Sequence, residues 1–247
     1  LCDVFVIFMF LVFLFSIVVL IYVNYNFNIG GKLSLQIIPI LYLIVFENLS
    51  LNELGIYNYF ALGLGSFSIP ISLLSVLFLI NAFNYFDGMD GSLGFATISV
   101  LIILYFLTYD QIFQLFLFII LIPLIIFLCF NFSLFNLPKL FLGDSGSLLF
   151  GFVISFILIH LAIKNVVHPI LLAWSVVIFV YEFLSINIIR LKNNQNLFKA
   201  GQDHLHHILL KNTNSIFLTN LFISITNIIL FLIGYYSFFI VSSLSSL

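Results

Sequence analysis

The chain has 247 residues, 64% of them hydrophobic and 6% charged, with a formal net charge of −2. Soluble domains are about a quarter charged, so a chain this apolar cannot cover itself with polar groups, and a water-soluble fold is excluded. No basic run argues for a nucleic-acid partner, and Cys2 and Cys129 lie in apolar segments without metal-ligand spacing.

Hydropathy places apolar stretches at roughly 4–23, 34–47, 67–83, 92–107, 112–131, 145–162, 168–188 and 215–246. The last is long enough for two spans with a turn near Gly234. The expectation is an all-α polytopic membrane helical bundle of about nine transmembrane helices, one domain over residues 1–247. In lipid only helices and closed barrels satisfy their own backbone. The opening run has neither a basic start nor a small-residue cleavage site, so it reads as a span and not a signal peptide. It begins at Leu1, and an N-terminal truncation is expected. Segment 48–66 is expected as an outer loop or hairpin, with Glu47 and Glu53 solvated.

If each stretch spans once, segments 24–33, 84–91, 132–144 and 189–214 share one side. Lys32, Lys139, Arg190, Lys192, Lys199 and Lys211 belong to that side, against Lys164 alone on the other. The positive-inside rule makes the basic side cytoplasmic. The polar clusters fall on the same side.

The first cluster is "NAFNYFDGMDG", with Asn81, Asn84, Asp87 and Asp90 at three-residue steps on adjoining helix faces. Its two carboxylates and two amides offer the oxygen ligands that magnesium takes together with substrate phosphates. A polar helix cap and turn is the plainer alternative. The second is "NLPKLFLGDSGSLLFG", where Asp144 is either a metal ligand or, with Ser145, a helix N-cap. Amides at that helix start favour a phosphate. Lys139 would neutralise a nucleotide phosphate or pair with lipid head groups.

The third cluster is "GQDHLHHILLK", with His204, His206 and His207. Their spacing is not the i, i+4 pattern of a helical zinc site. No thiol or nearby carboxylate other than Asp203 completes a tetrahedral set, so imidazoles gripping pyrophosphate or shuttling a proton are favoured over zinc. Glu182 stands in an apolar stretch and needs a partner or a water-lined site. Arg190 offers a fork for phosphate, or a structural pairing between helices. Together these groups suit a water-soluble polyanionic donor meeting a lipid-borne acceptor.

Three motifs in this order resemble the polyprenyl-phosphate N-acetylhexosamine-1-phosphate transferases of glycosyl transferase family 4. "NAFNYFDGMDG" is similar to N-x-x-N-x-x-D-G-x-D-G, "FLGDSGS" to F-x-G-D-x-G-S, and "HLHH" to H-x-H-H. The resemblance implies a magnesium-dependent enzyme, with manganese as the substitute ion. It would transfer HexNAc-1-phosphate from a UDP-activated HexNAc such as UDP-GlcNAc to undecaprenyl phosphate, releasing UMP, as the first membrane step of a cell-envelope polysaccharide. By position it makes Asp144 the principal metal ligand, with Asp87 and Asp90 beside it. Asn81 and Asn84 would serve the donor, and His204, His206 and His207 its pyrophosphate. Lys32, Lys139, Glu182 and Arg190 complete the expected substrate contacts.

The chain departs from this pattern in places. The family's early Asp-Asp pair is replaced by Tyr22 and Val23, with Asn24, Asn26 and Asn28 the nearest polar residues before "KLSLQ". Glu182 stands where an Asp is usual, and Gln202 where an arginine is usual. The alternatives are a catalytically impaired relative that binds lipid diphosphates or scaffolds an assembly, and a transporter. A transporter would place acids at the bilayer midplane on broken helices, whereas these acids cluster at one surface.

Overall fold

The computed structural model describes residues 15–16, 29–57, 60–194 and 204–241. Among them the chain forms α1 (Ile29–Phe46), β1 (Glu53–Tyr57), β2 (Phe60–Gly63), α2 (Ser68–Phe86), α3 (Ser92–Leu107) and α4 (Gln111–Asn131). It continues with α5 (Gly143–Ile163), α6 (Pro169–Ser175), α7 (Val177–Lys192), α8 (Leu205–Thr213) and α9 (Ile216–Tyr236). This is an all-α polytopic membrane bundle. Among the described residues, 4 helices are long and apolar enough to cross a membrane, or 5 if α6 and α7 form one bent span. α1 and α3 contain shorter apolar helices, Leu33–Phe46 and Ser92–Leu107. Apart from residues 15–16, the expected first span lies outside the described residues.

α2 and α5 form the centre of the bundle. They approach so closely at Gly151 that a Cβ there would lie 2.7 Å from the Ile80 Cα. Phe83 stacks on Phe179 at 4.0 Å and Phe15 on Phe152 at 4.0 Å, which fills the space on either side. Outward faces are apolar as well: Ile119, Ile122 and Ile126 on α4, and Phe222, Ile225 and Ile229 on α9, are exposed. In a membrane those faces meet acyl chains.

The antiparallel β1–β2 pair is the hairpin expected over 48–66, at the end of α2 opposite Asp87. Ser68 donates to the Leu51 carbonyl at 2.6 Å, and Ser72 accepts the Leu51 N–H at 2.8 Å, which ties the hairpin to the start of α2.

Two span expectations change. The stretch 215–246 does not turn at Gly234. α9 passes through that residue and ends in a π-turn over Ser237–Val241, giving a single apolar run, Ile216–Ile240. Gly234 is there for space, since a Cβ would lie 2.3 Å from the Trp174 ring. The stretch 168–188 is not one rod either, because α6 and α7 meet at a 69° bend. Asn227 of α9 satisfies the broken backbone. Its Oδ1 accepts the Ile178 N–H at 3.3 Å, and its Nδ2 donates to the Ser175 carbonyl at 3.1 Å and to Ser99 Oγ at 2.9 Å. Irregular backbone at membrane depth persists only where protein groups satisfy it in this way.

Candidate active site

α2 carries its last polar residues to the edge of the bundle and stops at Asp87. The chain then turns through Gly91, at φ +74°, a left-handed conformation suited to glycine, and α3 begins. Ser92 fastens this turn by donating to the Phe86 carbonyl at 2.8 Å and the Met89 carbonyl at 2.9 Å. Asn220, fully buried on α9, donates to the Asp90 carbonyl at 2.7 Å. The Asp87–Gly91 turn is thus held from two sides.

α5 starts beside it. Its N-cap position is Leu142, which provides no side-chain cap, while Asp144 lies in the first helical turn and is exposed. Asp144 is therefore not the N-cap that the sequence left open, and no side chain at the cap position bonds the helix-start amides. Asn84 joins the first two motifs: its Nδ2 lies 3.3 Å from Asp144 Oδ1 and donates to Ser147 Oγ at 2.9 Å. Asp87 feels its neighbours. Burial first, then the charges of Asp144 and Asp90, push its carboxyl up to about 7. The carboxylates of Asp144 and Asp90 are thus near enough for their charge to be felt at Asp87, and carboxylate oxygens are the donors that a hard divalent cation takes. Asp90 is meanwhile paired with Lys139, Nζ to Oδ2 at 2.6 Å.

A cavity of ≈ 250 Å³ opens next to this turn, lined by Asp87, Gly88, Asp90, Asn131 and Phe141 among others. Asn81 donates to the Leu77 carbonyl at 2.7 Å and reaches Gln36 Oε1 at 3.5 Å, so the start of α1 lies at the same end of the bundle. Lys32 is one turn before Gln36.

The histidine segment starts a helix: His204 is the N-cap of α8, and His206 and His207 are on it. Glu182, 4% exposed, accepts the Leu205 N–H at 2.9 Å and lies 3.3 Å from His204 Nδ1. The third motif reaches the first at Gly88, where a Cβ would lie 2.4 Å from His206 Nε2. Only glycine leaves room for that ring. Burial, then His207 and His204, depress His206 to about 3.

Several expected substrate contacts are thereby revised. His206 is 0% exposed and Arg190 3% exposed, with its guanidinium 5.8 Å from the Tyr85 ring centre. With Glu182, these groups are packed into the protein beneath the site. Their burial suits positioning better than direct contact with a donor. Tyr22, Val23, Asn24, Asn26, Asn28, Lys199, Gln202 and Asp203 lie outside the described residues. Sequence reading missed Ser147 and Asn220. Ser147 is within the quoted motif, but Asn220 lies in an apolar helix far along the chain and gave no signal beyond being an amide at membrane depth.

The model of glycosyl transferase family 4 matches residues 4–162, which include both the Asp87 turn and Asp144. The chain belongs to this family. It is similar to an undecaprenyl-phosphate alpha-N-acetylglucosaminyl 1-phosphate transferase of Yersinia pestis, 29% identical over 75 residues, 30% of this chain and 20% of that protein. Proteins of the same name from Escherichia coli strain K12 and Shigella flexneri are 28% identical over 75 residues, with the same coverage. The matched stretch is thus about a fifth of the relatives' length. The family match ends within α5, so Glu182 and the histidines lie beyond it.

Proposed function

We propose that this chain transfers a HexNAc-1-phosphate from a UDP-activated HexNAc to undecaprenyl phosphate, giving the undecaprenyl-diphosphate sugar and UMP at the cytoplasmic face of the inner membrane. The product would begin a cell-envelope polysaccharide. The observation that carries this reading is the contact of Asn84 with Asp144, which brings carboxylates from two separate motifs to one end of the bundle. The family and the names of its relatives point the same way.

In this reading an oxygen of the lipid phosphate attacks the β-phosphorus of the donor. A new O–P bond forms in line as the bond to the α-phosphate oxygen breaks, and UMP leaves with the electron pair. The attacking phosphate is already ionised, so no general base is required. Asp144, Asp87 and Asp90 would hold magnesium, which neutralises charge gathering on the diphosphate. Asn84 keeps Asp144 oriented. The amides at the start of α5 face a phosphate. Lys139, released from Asp90, pairs with the donor's anionic oxygens. His204 and His207 contact the pyrophosphate, with Glu182 and His206 fixing them from beneath.

The test is purified protein with radiolabelled UDP-HexNAc donors, undecaprenyl phosphate and magnesium. Labelled lipid and released UMP are the expected products. Asp144→Ala should lower turnover by at least about 10²-fold, and near-normal turnover would remove Asp144 from the site. Absence of product with every donor would favour the impaired, lipid-diphosphate-binding alternative.

A further inference from the structure

The buried face of α8 contains a second set of donors, apart from the three aspartates. Glu182, His204 and His206 each offer one ligand atom, and these atoms all lie within 4.8 Å of one another. The sequence disfavoured zinc here because the histidine spacing is not i, i+4 and no thiol or carboxylate beyond Asp203 lies nearby. The fold brings a carboxylate in from α7, one helix upstream. Glu182 and His206 are buried, and the His204 side chain is 12% exposed. Among the described residues, neither ring nitrogen of His206 has a hydrogen-bond partner. His204 Nδ1 is 3.3 Å from Glu182 Oε1, yet it too makes no hydrogen bond among the described residues.

Buried polar atoms in folded proteins are almost always satisfied, and exceptions call for a reason such as an ion. An ion pair between Glu182 and His204 leaves His206 unexplained. We propose that Glu182, His204 and His206 bind one divalent transition-metal cation of the zinc class, separate from the aspartate cluster. Two imidazoles and one carboxylate match zinc, whereas magnesium prefers oxygen alone. A neutral imidazole supplies a ring-nitrogen lone pair to such a cation. Three protein ligands leave one tetrahedral position for water or another donor. Bound there, the cation pins the start of α8 to α7 and holds His206 against Gly88. It is a clamp between the histidine segment and the Asp87 turn.

The experiment strips the purified full chain with a chelator, then reloads it with Zn²⁺ or Co²⁺ at micromolar free concentration. About one metal per chain is expected, with visible cobalt bands of a low-coordinate nitrogen and oxygen site. Glu182→Gln and His206→Ala should each weaken affinity beyond the roughly 10–100-fold that outer partners cost, while Asp144→Asn should retain the metal. X-ray absorption on the zinc-loaded parent should show imidazole scattering, independently of whether any variant folds. Failure to bind zinc, a shell of oxygen alone, or undiminished binding in both variants overturns the inference. A chain that transfers sugar phosphate but fails to bind zinc sinks this proposal alone, and a zinc-loaded chain without transferase activity sinks only the function proposed above.

Discussion

Asp87 shows how a site can oppose its own fold. Its carboxyl is raised from 3.8 to about 7, chiefly by burial and then by Asp144 and Asp90. A raised acid binds its proton more tightly in the folded chain, so stability falls as pH rises from the unfolded value through the folded one. The full penalty is present above pH 7 when no cation offsets it. Asp87→Asn should therefore stabilise the cation-free protein at pH 8 by up to about 4 kcal/mol, read as a rise in unfolding midpoint. The gain should shrink through pH 7 and vanish below about pH 4, as read by thermal unfolding in detergent with a chelator. Magnesium should stabilise the parent more than the variant. Lys139 makes the converse case: its ion pair with Asp90 is exposed and is worth about 0.2–1 kcal/mol. Lys139→Ala should leave the midpoint nearly unchanged and raise the KM for the donor.

At the scale of elements, two close contacts decide where the polar end sits. α2 and α5 meet at Gly151, where a Cβ would press on the backbone at Ile80. Gly151→Val should cost about 1–3 kcal/mol of stability. It should also reduce transfer, because parting these helices separates Asn84 from Asp144. The α6–α7 bend depends on Asn227. Asn227→Leu leaves the Ile178 N–H and the Ser175 carbonyl without that partner, at about 1–3 kcal/mol for each group left unsatisfied. Thermal unfolding in detergent measures both effects. A midpoint unchanged in Asn227→Leu would show that water or another side chain satisfies the bend.

For the whole molecule the question is sidedness. Asp87, Asp144, Lys139, Arg190 and the α8 histidines gather at one end of the bundle, and the β1–β2 hairpin is at the other. With Cys2 and Cys129 replaced, single cysteines at Leu134 and Val166, both exposed, report the two ends. A membrane-impermeant maleimide should label position 134 only in inverted vesicles and position 166 only in right-side-out ones. Labelling of both from one side would refute the orientation proposed here.

Composition alone determined that this chain is a membrane bundle, since lipid admits little else at 6% charge. Local spacing marked Asp87, Asp90 and Asp144, because each is a carboxylate beside glycine at the end of an apolar run. Spacing could not show that Asn84 reaches Asp144, that Glu182 backs His204, or that Asn227 repairs a bend, since each pairing joins distant parts of the chain. Gly234 misled for a related reason: glycine marks a turn in one setting and a close helix contact in another, and the position of Trp174 decides between them. Periodicity and hydropathy describe what a segment does with its own solvent. Which buried atoms find partners depends on packing between segments, and only the tertiary structure carries that.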